Sequence, residues 1–383
     1  MDNLNRRSLG TLLLALALLA GCNKEQPAAP APAAPEAPAA PAPAPTPAAA
    51  PAAPVFDVTA VQQRAKAMFA PLPASMQSAT NPSTDARTAL GRQLYYETRL
   101  SKNQDISCNS CHSLTDYGID VRTPGAKTSV GHKGQLDGRN SPTVYNAALH
   151  FVQFWDGRAA DVEAQAQSPM RDPVEMAMPT DAHIAQMLKS IPGYAPLFTA
   201  AFPDDKDPIT FANAAKAIGA FERKLVTPGR FDKFLAGDAH ALNEQQAKGL
   251  AAFMDAGCMA CHMGPLLGGT MYQKLGLMKP YPTKDQGRFE QTKKESDKFF
   301  FKVPSLRNIA KTAPYFHDGS VATLEEAVQL MAEYQTAAGK CSPEELKDVV
   351  AFLNSLTGDL PTDYIKPPAA LASSKTTPKP DPS

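Results

Sequence analysis

Two stretches, CNSCH at 108–112 and CMACH at 258–262, each hold two cysteines three positions apart with a histidine directly after the second. Zinc binding, a disulfide or redox pair, and covalent haem attachment all use such spacing. A zinc ribbon needs its two cysteine pairs within roughly 15–20 residues to share one ion. Here Cys111 and Cys258 are far apart in sequence, and each pair carries its own histidine. A thioredoxin-like pair would sit in a βαβ setting, which the flanking residues do not provide. A disulfide suits an exported protein but gives no reason for either histidine. Covalent haem accounts for every residue, because the two thiols add to the vinyl groups and the imidazole becomes an axial iron ligand. The sequence therefore predicts two covalently bound haem c groups. Cys108 and Cys111 anchor the first, with His112 on iron; Cys258, Cys261 and His262 serve the second. For the sixth position on each iron, composition alone does not rank His132, His150, His183, His240, His317 and the methionines.

The elements around these motifs read mostly as helix. "ARTALGRQLYYETRLSKNQDISCNSCH" and "EQQAKGLAAFMDAGCMACH" share a helical run with a glycine, Gly91 or Gly249, then an aromatic, then the motif, which suggests two copies of one small domain. Thr210 stands before "FANAAKAIGAFERKL", Thr323 with Glu326 forms a capping box before "LEEAVQLMAEY", and Ser342, Pro343 and Glu345 start "EELKDVVAFLNSL". Strand-like alternation is scarce. The expected fold is mostly α, with two cytochrome c-like haem domains, long loops and an interface between them.

The chain has 383 residues with 38 basic and 38 acidic side chains. That balance argues against a nucleic-acid partner. The N-terminus supplies basic residues (Arg6, Arg7), an apolar run from Leu12 to Ala20 too short to span a bilayer, and Leu19-Ala20-Gly21-Cys22. This reads as an export signal over 1–21, and its end resembles a bacterial lipobox with Cys22 as the lipidated residue. Between Pro27 and Pro54 every residue is Pro or Ala except Glu36 and Thr46, so 22–56 reads as an anchor and spacer of up to about 90 Å. Asn23 argues against retention in the inner membrane, so the expected location is the periplasm, with the lipid in the outer membrane. The remaining boundaries are 57–226 for the N-terminal haem domain, 227–360 for the C-terminal one, and 361–383 as a disordered tail.

Two longer stretches, "GHKGQLDGRNSPTVYNAALHFVQFWDGRAADVEAQAQSPMRDPVEM" (131–176) and "FKVPSLRNIAKTAPYFHDGSVATLEEAVQLM" (301–331), resemble the bacterial di-haem cytochrome c peroxidases. The resemblance covers about residues 84–357. It implies that the N-terminal haem meets hydrogen peroxide and reduces it to water. The C-terminal haem would take electrons from reduced cytochrome c or a small copper protein. It also implies His132 as a distal ligand that leaves the first iron on activation, and Met331 as the thioether ligand of the second. On the residues alone, Met331 reads as core, since it shares a helix face with Leu324, Ala327, Val328 and Tyr334. By the same resemblance Trp155 lies between the haems, Glu175 is the acid/base of the peroxide pocket and Gln165 its orienting partner. Asn140, Thr312 and Pro314 would bind one Ca²⁺, and His317 would take a second-haem or interdomain position. Cys341 lies outside the haem motifs. Dimerisation is common in the family, but no interface is legible in the sequence. Two other readings compete: a MauG-type oxidase of a protein residue, which has tyrosine where this chain has Met331, and a di-haem electron carrier with no enzymatic activity.

Overall fold

The computed structural model describes residues 56–383. The expected signal peptide, Cys22 and the spacer up to residue 55 lie outside the described residues. The chain forms α1 (Val58–Met68), α2 (Asp85–Tyr95), the single turn α3 (Cys108–Cys111), α4 (Val162–Arg171), α5 (Asp181–Lys189), α6 (Tyr194–Ala201) and α7 (Phe211–Glu222). It continues through α8 (Arg230–Ala236), α9 (Glu244–Asp255), the short α10 (Phe289–Thr292), α11 (Leu324–Gln335) and α12 (Pro343–Ser355). The only strands among the described residues are β1 (Tyr272–Lys274) and β2 (Phe300–Lys302), an antiparallel ribbon in which Tyr272 stands opposite Lys302. Thr210, Thr323 and Ser342 each cap the helix expected of them. The reciprocal bond of a capping box forms at Ser342–Glu345, whereas Thr323 only accepts from the Glu326 N–H.

The helices enclose two apolar cores. One gathers Leu90, Leu94, Tyr95, Ile218 and Phe221; the other gathers Phe231, Leu250, Phe253, Phe352 and Leu353. Each is built on a tight helix crossing made possible by a glycine. A Cβ on Gly91 in α2 would stand 1.9 Å from the Ala217 carbonyl oxygen of α7, and one on Gly249 in α9 would stand 1.8 Å from that of Asp348 in α12. No side chain fits in either gap. The glycines of the repeated theme are thus the contact points that let the helix preceding each cysteine motif lie against the last helix of its half.

A second repeat, with another spacing, sits where the halves meet. Asn146 and Asn308 both adopt left-handed backbone angles (φ 60° and 62°) and donate their N–H to the Leu225 and Leu356 carbonyls, just after α7 and α12. Nine residues beyond each asparagine come Trp155 and His317, in "FWDG" and "FHDG", where Phe154 and Phe316 share φ 66°. The two asparagine side chains converge on one hydroxyl: Asn146 Nδ2 and Asn308 Nδ2 donate to Thr227 Oγ1 at 2.9 and 2.8 Å.

The ends of the described chain cross over, which corrects the expected boundaries. Helix α1, assigned to the N-terminal domain as part of 57–226, puts Val61 and Ala65 into the second core, joined by Phe69 just after it. The stretch 361–383, expected to be disordered, packs on the first. Tyr364 stacks on Phe221 with ring centroids 5.0 Å apart and donates its hydroxyl to the Phe221 carbonyl, while Ile365 is 4% exposed. Its prolines make it an extended strap rather than a free coil, and these few apolar residues pack it against the first core.

Candidate active site

Both haem motifs sit at the start of a tight turn after a core helix. Cys108 belongs to the first core and Cys258 to the second, so the two cysteine pairs cannot share one ion. The four thiols are free. Burial pushes Cys111 up to about 11, Cys258 up to about 12 and Cys108 higher still. Burial thus favours the neutral thiol at Cys108, Cys111 and Cys258. The histidines are oriented alike: His112 Nδ1 lies 3.4 Å from the Gly118 carbonyl oxygen, and His262 Nδ1 lies 2.9 Å from that of Leu267. A ring whose Nδ1–H faces a carbonyl leaves Nε2 free to bind a metal. Burial lowers the pKa of both imidazoles, keeping that nitrogen unprotonated.

His132 and Glu175, 43 positions apart, are joined directly. The His132 N–H donates to the carbonyls of Val174 (2.8 Å) and Glu175 (2.9 Å). The approach is close enough that a Cβ on Gly131 would stand 2.0 Å from the Val174 oxygen. Burial, reinforced by Asp137 and Asp172, pushes the Glu175 carboxyl up to about 8, and its charge is felt at both Cys108 and Cys111. Gln165 lies half-buried on α4, after an Asp161 cap. The strap also reaches this pocket: the Ser383 carbonyl oxygen is 3.3 Å from His132 Nε2 and accepts from Lys102 Nζ at 2.6 Å. Met331 is half-buried on α11 and belongs to neither apolar cluster, although Leu324 and Ala327 of the same face do.

Between the halves, Asn140 ties several groups together. Its carbonyl accepts from Trp155 Nε1 (2.8 Å), its N–H donates to the His317 carbonyl (2.8 Å), and its side-chain amide lies 2.7 Å from the Pro314 carbonyl oxygen. Asn140, Pro314, Asp120 and Ser129 line one small cleft; Thr312 is two residues from Pro314. With its amide turned, Asn140 would present Oδ1 beside the Pro314 oxygen, a donor set suited to a hard cation. Trp155 and His317 meet edge to face with centroids 6.5 Å apart. His183 and His240 are exposed at helix starts, away from this cluster. Cys341 is half-buried, and burial raises its pKa, so it is no activated thiolate.

Sequence reasoning missed the charged cluster beside Trp155, in which Asp156, 1% exposed, accepts from Arg139 (2.6 Å) while Arg139 also grips Asp285 through two bonds. The matched "FWDG" and "FHDG" motifs were the available signal for that interface.

Two cytochrome c-like halves, each with its own thiol pair and oriented histidine, define a di-haem c-type cytochrome. Comparison with known proteins sharpens this. A family model for di-haem cytochrome c peroxidase matches residues 85–240, and one for cytochrome c matches 246–357. The chain is 43% identical over 334 residues to cytochrome c551 peroxidase of Pseudomonas aeruginosa, covering 85% of this chain and 94% of that one. It is 44% identical over 321 residues to the cytochrome c551 peroxidase of Nitrosomonas europaea, covering 83% and 93%. Among solved structures, a MauG-like protein associated with microbial copper homeostasis superposes with a TM-score of 0.69 at 30% identity, covering 78% of this chain and 97% of that one. The chain belongs to the bacterial di-haem cytochrome c peroxidase family and carries two c-type haems.

Proposed function

We propose that this protein is a peroxidase that reduces hydrogen peroxide to water with electrons from reduced cytochrome c or a small copper protein. When bound, the haems supply the redox chemistry, with electrons entering at the Cys258/Cys261 group and peroxide meeting the Cys108/Cys111 group. The observation that carries the reading is Glu175, a carboxyl held protonated near pH 7 against the backbone of His132 and close to both first-haem thiols. Splitting peroxide needs a group that takes the proton from one oxygen and returns it to the departing one. A carboxyl with a pKa near 8 takes that proton in its ionised fraction and, once protonated, holds it for the departing oxygen. With two electrons and two protons consumed, the products are two waters.

The other residues act by placement. Gln165 orients the peroxide. His132 would hold the first haem at rest and would move away on its Gly131–Gly134 loop, where Lys133 already has φ 58°. Trp155 bridges the halves beside His317, and Met331 would supply a thioether to the second haem. A Ca²⁺ held by Asn140, Thr312 and Pro314 would stiffen the carbonyl that orients Trp155, since Asn140 bonds both. The protein works in the periplasm, tethered to the outer membrane by a lipid on Cys22. Membrane partitioning of a Cys22→Ala protein would overturn that anchor.

The deciding assay is peroxide-dependent oxidation of reduced cytochrome c by the half-reduced protein with calcium present. Wild type should turn over, and Glu175→Ala should lose about 10²–10⁴-fold in turnover, the range for general acid–base groups. Full activity in Glu175→Ala refutes its role. No peroxide turnover, with oxidation of a partner protein instead, identifies a MauG-like oxidase.

A further inference from the structure

Lys302, the last residue of β2, is 4% exposed, and its Nζ bonds His150 Nδ1 at 2.9 Å. Burial alone drives its pKa down to about 7, so no acidic side chain among the described residues stands close enough to hold its charge. His150 is equally incomplete: its Nε2 is buried without a hydrogen-bond partner. The two facts are linked. An imidazole whose Nδ1 accepts from an ammonium carries its hydrogen on Nε2. With Lys302 as the ammonium donor, the pair presents the Nε2–H and the remaining ammonium hydrogens, a positive charge, and no acceptor. Buried donors of this kind call for an acceptor, and the positive charge favours an anionic one.

The neighbours say which anion. Gly268 and Gly269 lie between this pair and the second haem's histidine. A Cβ on Gly268 would be 3.2 Å from His262 Nδ1, and one on Gly269 would be 2.4 Å from His150 Cδ2 and 3.1 Å from its Nε2. The Phe151 N–H holds the Gly269 carbonyl at 2.9 Å, and the Lys302 N–H holds that of Trp155 at 2.7 Å. The donors are thus fixed beside the His262 loop on one side and Trp155 on the other. Haem c brings two propionate carboxylates to any pocket that holds it, whereas a dissolved anion has little access to so buried an amine.

We infer that Lys302 and His150 form a carboxylate-binding site that holds a propionate of the second haem next to Trp155. This rests on the second haem being attached at Cys258 and Cys261. The ammonium and the Nε2–H each take one carboxylate oxygen in a charge-assisted bond. Lys302 thereby joins the haem edge to the main chain of the residue between the two halves.

The test uses the holoprotein. Lys302→Met removes a buried positive charge near the iron, which favours the oxidised form. The reduction equilibrium of the second haem should fall about tenfold, 59 mV for a one-electron couple, while the first haem changes little. The propionate bending band in resonance Raman should shift in the same variant. Lys302→Arg should restore most of both signals, and His150→Leu should shift the band with a smaller change in potential. Two haems present with neither signal moved overturns the site. A moved potential with an unmoved band overturns the propionate as its ligand. Wild type with fewer than two covalent haems, measured by pyridine haemochrome, overturns the cofactor assignment beneath it.

Discussion

Thr227→Val is the most demanding test of how the halves are joined. Thr227 is 1% exposed, and its hydroxyl oxygen accepts from Asn146 Nδ2 and Asn308 Nδ2, both on fully buried side chains. Valine has nearly the same shape, so the substitution opens no cavity. It leaves two buried amide N–H groups without acceptors, at about 1–3 kcal/mol each. The remaining bonds hold both asparagines in place: Thr227 N–H donates to Asn146 Oδ1 at 3.1 Å and Gly358 N–H to Asn308 Oδ1 at 2.9 Å. Relief by rotation is therefore blocked. Allowing for the apolar gain of one buried methyl, about 0.8 kcal/mol, the net loss is about 1–5 kcal/mol. At about 2 °C per kcal/mol for a body of this size, the thermal midpoint should fall by roughly 2–10 °C. Far-ultraviolet circular dichroism of the holoprotein measures it. The control is Thr199→Val, an exposed residue of α6 whose hydroxyl bonds only the carbonyl one turn back; it should stay within about 0.5 kcal/mol of wild type. A Thr227→Val midpoint equal to that of the control would refute the hub.

Gly249→Ala should disturb the second haem and Gly91→Ala the first, because each new Cβ meets a carbonyl of the partner helix within 2 Å; overpacking costs on the order of 1–3 kcal/mol. Reduction potentials resolved by haem would show it, and equal effects on both haems would contradict the separate cores. Glu222 is buried without a cation strong enough to ionise it: burial, then the Glu163 carboxylate, raises its pKa from 4.5 to about 8. Its folded pKa is raised, so its contribution to stability is full below 4.5 and is lost as pH rises towards 8, at on the order of 1.4 kcal/mol per unit. Glu222→Gln should flatten that slope in denaturant titrations across the window, and an unchanged slope would exclude Glu222 as its source. Ending the chain at Pro361 removes Tyr364, Ile365 and Leu371 from the first core, a loss of about 3–6 kcal/mol by apolar burial. Unfolding midpoints should fall accordingly, and an unchanged midpoint would mean the strap is not a structural part of that core.

What could be read from the sequence was local. The thiols and histidines of each haem motif must be close in the chain to serve one haem, so their spacing survives as text. The helix caps at Thr210 and Ser342 are short-range for the same reason. Gly91 and Gly249 were visible as a repeat, but their purpose was not, since it depends on carbonyls 126 and 99 positions away on another helix. The Lys302–His150 pair spans 152 positions and has no local signature. The strap was misread because proline, serine and threonine dominate its composition, while Tyr364 and Ile365 matter only beside Phe221.

The crossing of the two chain ends has a consequence for synthesis. Domains generally fold as they emerge, the N-terminal one first. Here α1 has no core to join until α8 and α9 have been made, and the first core lacks Ile365 until nearly all the rest is complete. Neither half is one contiguous length of chain, so neither can be released by a single cut between them. The second core can take in α1 once its later helices exist, whereas the first is completed last, by the strap.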